Sequence, residues 1–129
     1  MELTLLPDSL AICRLPRDAP IPQWALAGEF YAVCRSDEEL SIVCPDGHPP
    51  GGTEADMGWR ALRVQGPLPL TEIGVIASLT APLAEAKISV FVVSTFATDY
   101  LLIKEAELSK AVRVLSSRHT VHTLDSQSL

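Results

Sequence analysis

The sequence predicts an α+β protein built from two related halves. Short apolar runs bounded by proline, glycine and polar residues recur along the chain, as is typical of strands. Two segments of the second half carry their apolar residues at helical spacing instead. From Trp59 onward these elements follow in the order β-α-β-β-α-β, which is the split βαβ arrangement of the ferredoxin-like fold.

Composition and charge limit the classes of protein. The chain has 129 residues, enough for one sizeable core or two small ones, and 47% of them are hydrophobic. A formal net charge of −6 with scattered lysine and arginine lacks the basic surface of a nucleic-acid-binding protein. No apolar run reaches the roughly 18 residues of a membrane span, and Met1 to Leu10 lacks a basic signal-peptide region. We therefore expect a cytoplasmic protein that binds neither nucleic acid nor membrane.

The first half is predicted to be rich in strands and poor in helix. Apolar runs predict four strands: Glu2–Leu6, Ser9–Leu15, Phe30–Cys34 and Leu40–Cys44. Three prolines prevent a long helix between the second and third strands: Pro16, Pro20 and Pro22. Ile21–Leu26 is then at most a turn or two of helix, with Trp24 as its anchor against the core.

An irregular stretch separates the halves. The residues from Pro45 to Gly58 include three prolines and the pair Gly51-Gly52. Such a composition predicts an exposed loop rather than a regular element. We place the boundary here, with residues 1–58 as one half and 59–129 as the other.

The second half alternates strands and helices. Strands are predicted over Trp59–Val64, Ile88–Ser94, Tyr100–Ile103 and His119–Leu124, with the last residues of the chain frayed. The first helix, about Thr71–Glu85, is indicated by a buried face of Ile73, Ile76, Leu79 and Leu83. Gly74 and Pro82 disfavour a regular helix there, and Pro82 is expected to kink it. The second helix is indicated by an amphipathic pattern at Leu108, Ala111, Val112 and Leu115.

A repeat relates the two halves. A shift of about sixty residues, without a gap, lays Phe30–Cys34 over Val90–Ser94 and Leu40–Val43 over Tyr100–Ile103. Two apolar runs separated by a polar turn thus recur at one offset, which indicates two related supersecondary units. Chance similarity of two hairpins is the alternative.

Catalytic and metal-binding patterns are missing from the sequence. Cys13, Cys34 and Cys44 have no CxxC spacing and no local His or Lys, so we interpret them as buried structural thiols. His119 and His122 point to opposite faces if they lie on a strand, so they are not expected to share a metal. The usual phosphate-binding, dinucleotide-binding, hydrolase and metalloprotease motifs do not occur. We expect a protein that is not an enzyme and has neither cofactor nor metal.

Several segments together form a recognisable signature: Gly66–Leu70, Gly74–Ile76, Pro82–Ala86, Ile88–Phe91, Ser94–Ile103 and, in the first half, Asp37–Cys44. They resemble a family of small bacterial proteins with tandem ACT domains, and they are similar to the ACT domains of the animal CASTOR arginine sensors. The resemblance implies an ACT domain in the second half and a degenerate ACT-like unit in the first. Ala97 stands where the family usually has an acidic residue.

The resemblance also implies a ligand site. In this family the ligand lies between ACT units, near the first turn of the helix and the hairpin loop. The matching positions in this sequence are Gly74, Thr95, Phe96, Thr98 and Asp99. A carboxylate such as Asp99 can hold an amino or guanidinium group, and a glycine at a helix start lets a ligand approach backbone N–H groups. The alternatives are a turn residue for Asp99, close helix packing for Gly74 and a core aromatic for Phe96.

These observations predict a non-enzymatic regulatory protein that binds a small ligand, an amino acid by resemblance. The apolar composition and the exposed sheet edge of such folds also predict a homodimer. A protein-interaction module with a vestigial pocket is the second hypothesis, and a small enzyme is the third.

Overall fold

A computed structural model describes residues 1–123 of the chain. Within this range the strands are β1 Glu2–Leu5, β2 Leu10–Leu15, β3 Ala32–Arg35, β4 Leu40–Pro45, β5 Glu54–Val64, β6 Phe91–Ser94, β7 Asp99–Lys104 and β8 Thr120–His122. The helices are α1 Val75–Glu85 and α2 Leu108–Ser116, with single 3-10 turns at Gln23–Ala25 and Glu105–Glu107. Leu124, the predicted end of the last strand, and the predicted frayed residues lie outside the described range.

The elements form two compact units. One contains Asp8–Trp59, and the other contains Met1–Pro7 together with the chain from Arg60 onward. Strand β5 contributes to both, since its residues up to Trp59 pair with β2 and its residues from Leu62 pair with β1. The division into a degenerate ACT-like half, residues 1–58, and an ACT domain, residues 59–129, stays a prediction.

The unit of Asp8–Trp59 is an antiparallel sheet in the order β3-β4-β2-β5. One face of it buries a small core of Ala11, Cys13, Ala25, Leu40, Ile42 and Cys44. The predicted short helical element is the 3-10 turn at Gln23–Ala25, and Trp24 packs against this core as expected.

The other unit has strands in the order β6-β7-β5-β1-β8, with α1 and α2 contributing to its core. From β5 onward its elements follow the predicted β-α-β-β-α-β order. Strand β1 lies between β5 and β8, pairing antiparallel with the first and parallel with the second. The core of this unit includes Leu3, Leu62, Val64, Leu79, Leu83, Leu101, Ile103, Leu108, Ala111 and Leu115. The ferredoxin-like α+β fold predicted from the sequence is therefore confirmed.

Helix α1 begins four residues later than predicted. Gly74 precedes it with φ of +86°, which is the left-handed region and cannot continue a right-handed helix backward. Ile73 therefore lies outside the helix and is 92% exposed, so its assignment to the buried face is wrong. Pro82 lies inside the helix, as expected.

The predicted loop over Pro45–Gly58 is also partly wrong, since β5 begins at Glu54. The pairing of β5 with β2 shifts register between Leu10 and Ile12, and Gly58 adopts φ of +80° opposite this shift. A glycine at a register shift is typical of a β-bulge. The glycine signal thus marks an irregularity inside a strand rather than a loop.

The hairpins β3-β4 and β6-β7 have the same geometry. Arg35 pairs with Leu40 in the first hairpin, and Ser94 pairs with Asp99 in the second, so each closes a four-residue loop. Ser36 N–H donates to the carbonyl of Glu39 over 2.9 Å, and Thr95 N–H donates to that of Thr98 over 2.8 Å. These pairs relate the hairpins by 59 residues instead of sixty. Because side chains alternate along a strand, this correction brings Ile42 and Cys44 onto Leu101 and Ile103, which are all buried core residues.

The three cysteines differ in environment. Cys13 and Cys44 are buried as predicted, whereas Cys34 is exposed, so the prediction is wrong there. Cys34 lies on β3, the edge strand of its unit, and because side chains alternate along a strand it points away from the core against which Val33 packs. Burial raises the pKa of Cys13 and, together with the nearby Cys13 thiol, raises the pKa of Cys44 to about 12.

We expect one fast-reacting thiol in the native protein. Cys34 should react with a disulfide reagent at pH 8, while Cys13 and Cys44 react only after unfolding in urea, because their buried thiols stay protonated and inaccessible. The unfolded thiols lose their protons above about pH 9 while the folded ones keep theirs, so the free energy of unfolding should fall as pH rises further. Fast native labelling of all three thiols would contradict this assignment.

His119 completes a hydrogen bond that helix α1 lacks. Pro82 has no N–H for the carbonyl of Ser78, one turn earlier in the helix. Nε2 of His119 lies 3.3 Å from that carbonyl oxygen, and its Nδ1 lies 3.2 Å from the Met1 ammonium group. Since the ammonium is a donor, we assign the ring proton to Nε2, which then donates to Ser78. This bond joins α1 to the residue before β8.

A double-mutant cycle tests this role of His119. His119→Ala should lower the free energy of unfolding by about 1 kcal/mol, because the Ser78 carbonyl loses its donor. In a Pro82→Ala background the restored N–H can bond that carbonyl, so the same substitution should cost less. Urea denaturation of the four proteins measures the difference. Equal costs in both backgrounds would show that His119 acts through another contact, such as Met1.

Candidate functional site

A half-open cleft of about 590 Å³ lies in the unit that contains both helices. Its walls are the segment before α1, the first turns of α1 and the β6-β7 hairpin loop. The lining residues are Leu68, Pro69, Leu70, Glu72, Gly74, Val75, Ile76, Ala77, Thr80, Ser94, Thr95, Phe96, Ala97, Thr98 and Asp99. All five positions predicted from the sequence, Gly74, Thr95, Phe96, Thr98 and Asp99, thus line one cleft.

The start of α1 supplies backbone donors to the cleft. The first N–H groups of an α-helix have no partner within the helix, and Val75, Ile76 and Ala77 occupy that turn here. Gly74 precedes them and has no side chain with which to cap the helix. A Cβ atom at Gly74 would meet no atom within 4 Å, so close helix packing does not explain this glycine. Its left-handed φ explains it instead, and it leaves the helix start open to the cleft.

The hairpin loop is held by two threonines. The Thr95 hydroxyl donates to the carbonyl of Thr98 over 3.0 Å and accepts from the Thr98 N–H over 3.3 Å. The buried Thr98 hydroxyl donates to the carbonyl of Val64 at the end of β5, over 2.6 Å. Both hydroxyls therefore have structural partners, and they fix the shape of the wall.

The segment before α1 is held against the same loop. Leu68 N–H donates to the carbonyl of Ala97 over 2.7 Å. Gly66 lies so close that an added Cβ atom would be 2.9 Å from that same carbonyl oxygen and 3.1 Å from Cβ of Thr98. A glycine is needed here because only a backbone without Cβ can approach so closely.

The cleft is lined by acidic side chains. Asp99 is half-buried at the start of β7, and its Oδ1 accepts a hydrogen bond from the Ser94 hydroxyl over 2.6 Å. The hydrogen-bond partner of the Asp99 carboxylate therefore lies on the facing strand β6 and not in the turn. This contact disfavours the alternative in which Asp99 is a turn residue. Among the described residues that line the cleft, the charged ones are Glu72 and Asp99, both acidic. This composition favours a positively charged group in the cleft.

Large apolar side chains surround the cleft. Phe96 is 82% exposed and Leu70 is 69% exposed, and both are lining residues. The reading of Phe96 as a core aromatic is therefore wrong. Exposed apolar surface of this kind is typical of a ligand or partner contact.

Sequence reasoning missed part of this wall. Ser94, Leu68, Ile76 and Thr80 line the cleft, although none of them is among the five predicted site residues. The hairpin register identifies Ser94 as the cross-strand partner of Asp99, and a four-residue loop in the sequence was the available signal. The place of Leu68 in the cleft wall cannot be predicted from the sequence, because it depends on how the segment before α1 packs against the hairpin loop.

Other candidate sites do not assemble. His122 pairs with Glu2 and His119 with Ser78, so the two histidines have separate partners. Two acidic residues of β5 also have partners of their own, since Asp56 accepts a hydrogen bond from the Trp59 indole and Glu54 pairs with Arg14. Residues 1–123 contain no cluster of His, Cys, Asp and Glu suited to a metal ion. Within the same range, no helix has the length and apolarity to cross a membrane.

Known families match both parts of the chain. The ACT domain family matches residues 54–117, and a family described as an N-terminal domain matches residues 8–51. A crystal structure of a protein from Agrobacterium tumefaciens has a TM-score of 0.91 and 37% sequence identity, covering 96% of this chain and 93% of that one. The ligand-free regulatory subunit of aspartate kinase from Thermus thermophilus has a TM-score of 0.61 at 14% identity, covering 89% and 95% of the two chains, and shows the fold alone.

Curated relatives include arginine sensors. The cytosolic arginine sensor for mTORC1 subunit 1 from Mus musculus is 38% identical over 105 residues, which are 80% of this chain and 31% of the sensor. The Homo sapiens sensor is 39% identical over 61 residues, or 46% of this chain and 18% of the sensor. The chain thus spans less than a third of the length of these relatives.

These matches and the ferredoxin-like topology define a protein of the α+β class with an ACT domain. The chain belongs to the family of ACT-domain proteins, and its sequence is similar to part of the CASTOR arginine sensors.

Proposed function

We propose that this chain is a non-enzymatic regulatory protein that binds a free amino acid in the cleft between the start of α1 and the β6-β7 loop. The observation that carries the proposal is the presence of two complementary polar groups among the residues that line one cleft. Unpaired backbone N–H groups of Val75, Ile76 and Ala77 suit a carboxylate, and the Asp99 carboxylate suits an ammonium or guanidinium group. The apolar wall of Leu68, Ile76 and Phe96 can pack against the rest of such a molecule.

Arginine is the first amino acid to test. The curated relatives are named as arginine sensors, and the acidic charge of Asp99 and Glu72 favours a ligand with an additional positive group. A guanidinium group can make two parallel hydrogen bonds to one carboxylate, which a lysine ammonium cannot reproduce. We therefore propose a preference for arginine over lysine and over uncharged amino acids.

A protein-interaction module is the second candidate function. Leu70, Ile73 and Phe96 are exposed large apolar residues at or beside the cleft, and they could contact a protein as well as a ligand. A thermal-shift screen of the twenty amino acids separates the two functions, because a ligand that binds only the folded state raises stability by mass action. No response to any of them would favour the interaction module.

The proposal also covers the assembly and the location of the protein. We propose a cytoplasmic homodimer, since the exposed apolar side chains and the edge strand β6 leave surface for a second copy. Light scattering at micromolar concentration tests the assembly, and a monomer would contradict it.

Catalysis is not part of the proposal, and turnover of a bound amino acid would overturn that exclusion.

Substitution of Asp99 tests the site directly. Asp99→Ala should weaken calorimetric binding of the amino acid found in the screen by roughly 2 to 5 kcal/mol, because the cationic group of the ligand loses its partner away from water. Asp99→Asn can still accept from Ser94, so it should keep the hairpin while it weakens binding through the lost charge.

Asp37→Asn is the matched control. Asp37 lies in the equivalent loop of the first hairpin, so the substitution removes the same charge outside the cleft and should leave the affinity unchanged. An equal loss of affinity in Asp99→Asn and Asp37→Asn would show that the effect comes from the net charge of the protein rather than from the site. Unchanged affinity in Asp99→Asn and Asp99→Ala would remove Asp99 from the site.

A further inference from the structure

The first hairpin carries a different pair of residues at the position of Ser94 and Asp99. Relating the hairpins by their closing pairs places Arg35 on Ser94 and Leu40 on Asp99. Leu40 is fully buried in the core of its unit. The first half therefore has an apolar side chain where the second has a carboxylate, and a permanent cation where the second has a hydroxyl.

The Arg35 guanidinium is bound by the chain itself. Its Nη1 donates to the carbonyl of Arg17, and its Nη2 donates to the carbonyl of Ala19 over 2.7 Å. Nη1 of Arg17 in turn donates to the carbonyl of Asp37 in the hairpin loop, over 3.1 Å. The two arginines thus join the segment that follows β2 to the first hairpin. In the second half, the hydrogen bonds of Leu68 and Thr98 hold the second hairpin loop to the chain around Val64–Leu68.

The surroundings of Arg35 suit a guanidinium group in particular. A planar fork with several N–H donors can serve two carbonyl oxygens two residues apart, whereas a lysine ammonium is a single compact charge. The hairpin loop also carries Glu38 and Glu39, which favour a cation over an anion. Between residues 8 and 59 the chain forms one 3-10 turn and no α-helix, so a helix start for a carboxylate is not available.

We propose that the first half is a self-bound counterpart of the cleft, in which the Arg35 side chain occupies the place of a ligand cation. The chain then offers one open site, and removing the Arg35 side chain leaves a site for a free monoalkyl guanidinium cation. The analogy with a ligand cation rests on the proposed function, whereas the guanidinium site rests only on the contacts of Arg35.

Chemical rescue of Arg35→Ala tests the guanidinium site. The variant should lower Tm by a few degrees and shift the backbone amide signals of Arg17, Asp18 and Ala19 in a nitrogen-15 correlation spectrum. Ethylguanidinium in the millimolar range should return these signals toward their wild-type positions in a saturable manner. Ethylammonium at the same concentration is the matched control for charge, and it should not do so.

The wild-type protein supplies the second control. Its signals at Arg17–Ala19 should not respond saturably to ethylguanidinium, because the site is filled by Arg35. An equal response in both proteins, or no saturable response in Arg35→Ala, would overturn the proposal. These outcomes are read in the first half alone, so they do not depend on whether an amino acid binds the cleft.

Stoichiometry tests the number of open sites. If the thermal-shift screen yields a ligand, calorimetry should give one ligand per chain, and two per chain would contradict the single open site. A screen without any ligand would overturn the proposed function while leaving the rescue of Arg35→Ala as the decisive result for the first half.

Discussion

The hydrogen bond from the buried Thr98 hydroxyl to the Val64 carbonyl determines the shape of the cleft. It joins the hairpin loop to the end of β5. Close by, the backbone of Gly66 packs against the loop, and the Leu68 N–H donates to the Ala97 carbonyl. The loop then presents Phe96 and Asp99 on one side, while the chain continues to Gly74 and the open start of α1. A buried hydroxyl without a partner is costly, so this bond fixes the arrangement together with the bonds of Thr95 and Leu68.

The two halves use one hairpin for opposite purposes. The loop geometry is the same, with a Ser or Thr at the first loop position that bonds the fourth. In the second half the closing pair is polar and lines a cleft. In the first half the closing pair is a buried leucine and an arginine with partners in its own unit. A repeated supersecondary unit can therefore keep its backbone while the two residues of its closing pair change from a polar pair that lines a cleft to a buried leucine and an arginine bonded within its own unit.

Most of the fold could be predicted because it depends on local patterns. Apolar runs located seven of the eight strands within a few residues, and the amphipathic spacing of α2 placed Leu108, Ala111 and Leu115 correctly in the core. The errors in the bounds of β5 and α1 have a common physical cause. Gly58 and Gly74 act as a bulge and a helix start through their backbone angles, and such roles depend on neighbouring strands and turns that one sequence does not display. The insertion of β1 between β5 and β8 is likewise a long-range pairing.

The candidate site was predicted through resemblance, and the structure brings its five residues together in one cleft. Periodicity and spacing alone do not distinguish Asp99 from a turn residue, because its cross-strand bond to Ser94 follows only from the hairpin register. Thr95 and Thr98 illustrate a different limit. They lie in the site, yet their hydroxyls bond the backbone, so position in a cleft does not by itself define a ligand contact.

Amide chemical-shift mapping is the most direct test of the central claim that an amino acid binds between the start of α1 and the hairpin loop. In a titration of the nitrogen-15-labelled protein with L-arginine, the largest changes should fall on Val75–Ala77 and Thr95–Asp99, since both walls contact the ligand. L-arginine methyl ester, which lacks the carboxylate, should shift the hairpin signals more than those of Val75–Ala77. Saturable changes confined to residues outside these two segments would contradict the account.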